Sequence, residues 1–164
     1  MMINKIVKGI ELLKAKKQKV AFVEGASNGS ISEAFLSYAS AEGVVLGNMV
    51  ALKDHMKGYF FQIDTETLQR YGSESAEVAK RMAKGLSEYF DADIYVSITG
   101  NPTDNADKET PATYIHIVFP DDQIAEKVAF NCDETSEIDQ TLARVCQHIK
   151  NKLIPQNECE FEIA

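Results

Sequence analysis

Apolar residues recur along the chain in two patterns, a helical period of about 3.6 residues and short continuous runs typical of buried strands. The helical period predicts helices at 4–17, from about Ser30 onward, at 53–58, 64–71, 76–90 and 136–153. The short runs predict strands at 19–24, 44–51, 94–99, 113–119 and 123–131.

The order of these elements indicates the fold class. Helices alternate with strands through most of the chain, and the last two strands form an antiparallel hairpin across 120–122 before the final helix. This order predicts an α/β protein, a three-layer α/β/α sandwich with a mixed, mostly parallel sheet. The 164 residues fit one domain, with a core at about 4–153 and a tail at 154–164 that alternates enough at 159–163 for an edge strand.

Composition and charge exclude several classes of partner. The net charge of -8 and the scattered basic residues argue against nucleic acid, and the densest basic run, 14–19, suits the negative end of a helix dipole. No apolar run approaches the ~20 residues of a bilayer span, and no signal peptide is visible, so no membrane partner is expected. Cys132, Cys146 and Cys159 lack the spacing of a zinc or redox motif. We therefore expect reduced thiols, a cytoplasmic protein, and neither metal nor cofactor.

Two strand ends are candidates for a ligand site. The loop from Gly25 to Ser30 joins a buried strand to a helix N-terminus, an arrangement that often receives an anion. Glu33 completes a capping box if Ser30 is the cap. Thr99 ends a central strand, where open α/β sheets usually bind ligands.

Four segments resemble the C-terminal domain of the CinA family. The strongest, 72–85, is similar to that family's G-A-V-S-x-E-V-A-x-x-M-A-x-G helix, and 91–100 is similar to its G-A-D-x-x-x-x-x-T-G strand. Residues 23–29 fall where the family carries A-E-S-C-T-G-G, and 46–57 where it carries G-G-V-V-x-Y-S-N-x-x-K. The resemblance covers roughly 6–153.

The resemblance implies deamidation of nicotinamide mononucleotide by a serine that a lysine activates, without metal or cofactor, and it implies a homodimer. A serine hydroxyl needs such a base, and a lysine serves when burial lowers its pKa. Lys57 falls at the lysine position, but Gly25 stands at the serine position. The residues that we expect to bind the ligand are Glu24, Gly25, Ser27, Asn28, Gly29, Thr99 and Gly100.

Individual residues leave alternatives open. Ser27 is either a substitute nucleophile or a side chain that caps the next helix. Lys57 is either a base in a pocket or a salt-bridged surface lysine. The carboxylate of Glu24 either binds loop amides or contacts the ligand.

We therefore predict a CinA-like protein that is catalytically impaired or inactive and binds a nucleotide-like ligand in the ancestral pocket. One alternative is an active deamidase with a non-standard nucleophile. The other is a non-enzymatic, oligomeric interaction module.

Overall fold

The computed structural model describes residues 2–100, 112–129 and 136–154. The helices in this part of the chain are α1 (Met2–Ala15), α2 (Ser30–Leu36), α3 (Asp54–Phe61), α4 (Thr65–Tyr71), α5 (Ala76–Gly85) and α6 (Glu137–Leu153). The strands are β1 (Val20–Glu24), β2 (Val45–Val50), β3 (Ile94–Thr99), β4 (Ala112–Val118) and β5 (Gln123–Ala129).

These strands form one sheet in the order β2-β1-β3-β4-β5. β1 pairs in parallel with both β2 and β3, whereas β4 pairs antiparallel with β3 and with β5. Among the described strands β4 alone therefore runs against the others, which confirms the predicted mixed, mostly parallel sheet. Glu24 at the end of β1 lies opposite Val50 of β2 and Ile98 of β3, so three strands end at one edge.

Helices cover both faces of the sheet, as a three-layer sandwich requires. Alternating residues of β1 point to opposite sides: Phe22 belongs to the core beneath α1, α2 and α6, while Val23 belongs to the core beneath α3, α4 and α5. The α1/α2/α6 face is the larger of the two apolar clusters. The predicted fold class is thus confirmed.

Several predicted boundaries are wrong. Helix α1 ends at Ala15 rather than Lys17, since Lys17 adopts a left-handed φ of 55° that cannot continue the helix. Helix α5 ends at Gly85, and the residues predicted to extend it form a 3₁₀ turn at Leu86–Glu88. Residues 130–131 of the predicted last strand, Cys132, Cys159 and the tail from 155 lie outside the described residues.

None of the described helices combines the length and apolar character needed to cross a bilayer.

Candidate functional site

At the edge of the sheet where β1, β2 and β3 end, the side chains fall into two groups, one on each face of the sheet. From β1 the chain passes to β2 on one side and later to β3 on the other, which opens a crevice at the ends of β1 and β3. Because consecutive residues of a strand point to opposite faces, Glu24 and Gly25 belong to different sides of this crevice. Glu24 faces α2, whereas Gly25 faces α3 and the turn before α5.

The carboxylate of Glu24 is fully buried and holds the start of α2. Its Oε1 accepts from the Ser27 hydroxyl at 2.8 Å and the Ile31 amide at 2.9 Å. Its Oε2 accepts from the amide of Ser32 at 3.0 Å and from the same residue's hydroxyl at 2.6 Å. A buried carboxylate needs such donors, so the contacts with loop and helix agree with the structural alternative for Glu24.

The start of α2 therefore differs from the predicted capping box. The N-cap is Gly29, with φ of 86° and no side-chain cap bond, and Ser30 is already helical. Ser30 is therefore not the cap, and the condition for a capping box with Glu33 is not met. The carboxylate of Glu24, seven residues before Ile31 in the chain, accepts from the amides of Ile31 and Ser32 instead. Those two amides are consequently engaged by the chain's own anion.

Lys57 lies on the inner face of α3, one helical turn before the buried Phe61. Only 2% of the lysine is exposed, and its Nζ donates to the backbone oxygen of Ser73 at 2.9 Å and to the Ser73 hydroxyl at 2.6 Å. Burial lowers the pKa of Lys57, with the more distant carboxylates of Asp54 and Glu74 acting in the opposite direction. Lys57 is therefore a buried amine bonded to neutral oxygens.

Gly25 lies directly beside this amine. A Cβ built on Gly25 would be 3.7 Å from Lys57 Nζ and 3.2 Å from Thr99 Oγ1. The Thr99 hydroxyl in turn donates to the backbone oxygen of Ser73 at 3.4 Å. We name these four residues, Gly25, Lys57, Ser73 and Thr99, the Lys57 site.

Ser73 is the member of the Lys57 site that the sequence analysis missed. It lies in the turn between Gly72, with φ of 82°, and the α5 N-cap Ser75, and it is half-buried. The available signal was its position in the family-like motif of 72–85, where serine replaces the motif's alanine. The replacement adds a hydroxyl next to Lys57 because the turn packs against that lysine, and the sequence alone does not reveal this packing.

Two of the remaining predicted residues, Ser27 and Asn28, line a cavity that Lys57 does not line. This cavity of about 260 Å³ lies on the α1/α2/α6 face and is also lined by Thr113 and the start of α6. Ser27 donates to Glu24 and Lys57 donates to Ser73, so the two predicted catalytic side chains have separate partners. In the described ranges, no three His, Cys, Asp or Glu side chains are grouped to hold a metal ion.

The two other predicted glycines have backbone roles. Gly29 has φ of 86°, and Gly100 has φ of 104°. A Cβ on Gly100 would lie 2.5 Å from the Ala112 backbone oxygen, a distance that no side chain tolerates. These positions need glycine for conformation and close approach.

Comparisons with known proteins agree on one family. The family model described as "CinA C-terminal domain" matches residues 4–153. A CinA-like protein of Thermotoga sp. (strain RQ2) is 28% identical over 126 residues, which cover 76% of this chain and 31% of the relative. One from Prochlorococcus marinus (strain MIT 9312) is 30% identical over 142 residues, covering 84% and 34%. The chain thus spans about a third of the length of these curated relatives.

Solved structures show the same fold. A competence or damage-inducible protein from Enterobacter asburiae superimposes with a TM-score of 0.80 at 16% identity, covering 94% of this chain and 99% of the other. The competence/damage inducible protein CihA of Agrobacterium tumefaciens gives 0.71 at 21% identity, covering 88% and 95%.

Proposed function

Because the chain belongs to the CinA C-terminal domain family, we propose that the Lys57 site binds a small nucleotide-like ligand and has lost the hydrolytic route of the family's serine. The observation that carries the proposal is the space at Gly25. A side chain there would project toward Lys57 Nζ, 3.7 Å from its Cβ, and Gly25 supplies no hydroxyl at this position.

The burial of Lys57 supports a functional role for the pocket. Enclosing an amine without a carboxylate partner costs stability, and the described contacts supply only the two oxygens of Ser73. Ionisable groups held in such surroundings are concentrated at functional sites. A ligand that presents an oxygen to Lys57 Nζ would compensate part of this cost.

The resemblance suggests the chemical class of the ligand, a pyridine mononucleotide that carries an amide. Removal of a nucleophile from residues that act as a unit abolishes most of the rate acceleration. A glycine at position 25 would therefore remove the route through the family's serine while leaving the rest of the pocket in place. The predictions of a homodimer and of a cytoplasmic location stay predictions.

Ligand binding is tested by thermal unfolding in the presence of nicotinamide mononucleotide. A ligand that binds only the folded state stabilises it by about 2.7 kcal/mol at a hundred times Kd. We expect the stabilisation to disappear in Lys57→Met and to persist in Lys53→Met, which removes an exposed lysine from the start of the same helix. Absence of any shift at millimolar nucleotide would contradict the proposal and favour the interaction-module alternative.

The lost route is tested by restoring the hydroxyl. Gly25→Ser is expected to raise ammonia release from nicotinamide mononucleotide well above the wild-type rate. Gly25→Ala is the matched control, since it adds the same Cβ beside Thr99 without the hydroxyl. Equal rates in the two variants would show that Lys57 does not activate a group at this position.

A further inference from the structure

We propose that the hydroxyl of Ser73 is a nucleophile and Lys57 its general base, forming a serine–lysine pair that transfers the acyl group of a small amide. The proposal shares the Lys57 site with the proposed function and deepens it by assigning a reaction to that site. It uses a hydroxyl from the turn before α5 rather than from the loop after β1.

The geometry satisfies the first requirement of such a pair. Ser73 Oγ lies 2.6 Å from Lys57 Nζ, within hydrogen-bond reach of the base. Ser73 is half-buried, whereas the lysine is only 2% exposed. Ser27, by contrast, donates its hydroxyl to the buried Glu24.

The surroundings also favour a neutral amine. Desolvation lowers the pKa of Lys57, and the carboxylates that oppose this effect, Asp54 and Glu74, belong to exposed residues. The backbone oxygen of Ser73 accepts a second hydrogen bond from Nζ at 2.9 Å and fixes the amine next to the hydroxyl. A neutral lysine in this position accepts the Ser73 proton.

The missing side chain of Gly25 leaves room beside Nζ. The place of the missing Cβ is bounded by Thr99 Oγ1 at 3.2 Å and Nζ at 3.7 Å. Relative to the family motifs, a hydroxyl is thus absent at Gly25 and present at Ser73, and both positions adjoin the same amine. The proposal places the substrate carbonyl beside Nζ, where a serine side chain would stand in the family.

The proposed reaction consumes the amide and one water and releases ammonia and a carboxylic acid. Neutral Lys57 takes the Ser73 proton while Oγ bonds to the amide carbon, and the resulting ammonium gives that proton to the departing nitrogen as the C–N bond breaks. Ammonia leaves an ester on Ser73. Water then attacks the ester carbon, Lys57 takes a proton from water, and the proton returns to Oγ as the C–O bond breaks, which releases the carboxylic acid.

The test uses a fluorophosphonate probe, in which the serine oxygen displaces fluoride from phosphorus, with the modified peptide identified by mass spectrometry. We expect wild-type protein to carry the adduct on Ser73. Ser73→Ala should lose it, and Lys57→Met should slow its formation about a hundred-fold, the usual scale of general-base assistance. Ser75→Ala, in the same turn, should label like the wild type.

Folding of each variant is checked by thermal unfolding, and Ser73→Cys provides a second readout. Its alkylation by iodoacetamide should be faster with Lys57 present than in the double variant with Lys57→Met. An adduct on another residue, no adduct in wild type, or Ser73 labelling that is independent of Lys57 would overturn the proposal. Ser73 labelling without any nucleotide-induced thermal shift would refute the proposed ligand alone, whereas a shift without labelling would refute the nucleophile alone.

Discussion

Replacement of the buried carboxylate of Glu24 tests quantitatively how this side chain holds the start of α2. Glu24→Gln keeps the size of the side chain but replaces one acceptor oxygen with an NH₂ group. Whichever way the amide is oriented, a nitrogen then faces donors that now bind an oxygen: Ser27 and Ile31 at Oε1, or the amide and hydroxyl of Ser32 at Oε2.

The cost follows from the donor that loses its acceptor. Each carboxylate oxygen accepts from one serine hydroxyl, which can rotate and accept from the new nitrogen, and from one backbone amide, which cannot. In either orientation one amide, that of Ile31 or that of Ser32, therefore has no acceptor. A buried donor left unsatisfied costs about 1–3 kcal/mol. We therefore expect Glu24→Gln to lower the free energy of unfolding by about 1–3 kcal/mol, a large part of the ~5–15 kcal/mol typical of a domain.

Urea unfolding followed by circular dichroism measures this difference. Glu33→Gln is the matched control: it makes the same chemical change in the first turn of the same helix, on an exposed residue. Its expected cost is at most about 0.3–1 kcal/mol, from the helix dipole. If both variants cost the same, or if Glu24→Gln costs under about 0.5 kcal/mol, the capping role assigned to Glu24 is refuted.

Two further predictions concern α1 and Lys57. Gly9→Ala places a Cβ 2.9 Å from the Cβ of Cys146 in α6. We expect this variant to be less stable by about 1–3 kcal/mol in urea unfolding. The control is Glu11→Ala, at an exposed position of the same helix, and equal stability of the two variants would contradict the close packing of α1 on α6. Burial lowers the pKa of Lys57 in the folded protein below the ordinary value of 10.5 that it has in the unfolded chain. Between these two pKa values the unfolded chain binds more protons than the folded protein, so the free energy of unfolding should rise with pH. We expect this rise in the wild type and not in Lys57→Met. A wild-type minus Lys57→Met difference that stays flat up to pH 10.5 would contradict the burial of the amine.

The sequence predicted what depends on local pattern and missed what depends on spatial neighbours. Short apolar runs located β1 and β3, since a run of this length bounded by turn residues is typical of a buried strand. The sequence left open whether Ser30 caps α2 and whether Glu24 binds loop amides, because only the folded strand brings the Glu24 carboxylate to the start of the helix. Ser73 escaped notice for the same reason, because only the packing of α3 against the turn before α5 brings its hydroxyl to Lys57.

The contact between Gly9 and Cys146 also bears on how the chain folds during synthesis. The apolar face of α1, with Ile6, Ile10 and Leu13, belongs to a core that α6 completes from the far end of the sequence. A nascent chain therefore exposes this face until α6 has left the ribosome, and contacts of such long sequence separation form slowly. Chaperone capture of the growing chain is expected at α1, and in refolding its amides should gain protection from hydrogen exchange together with those of α6.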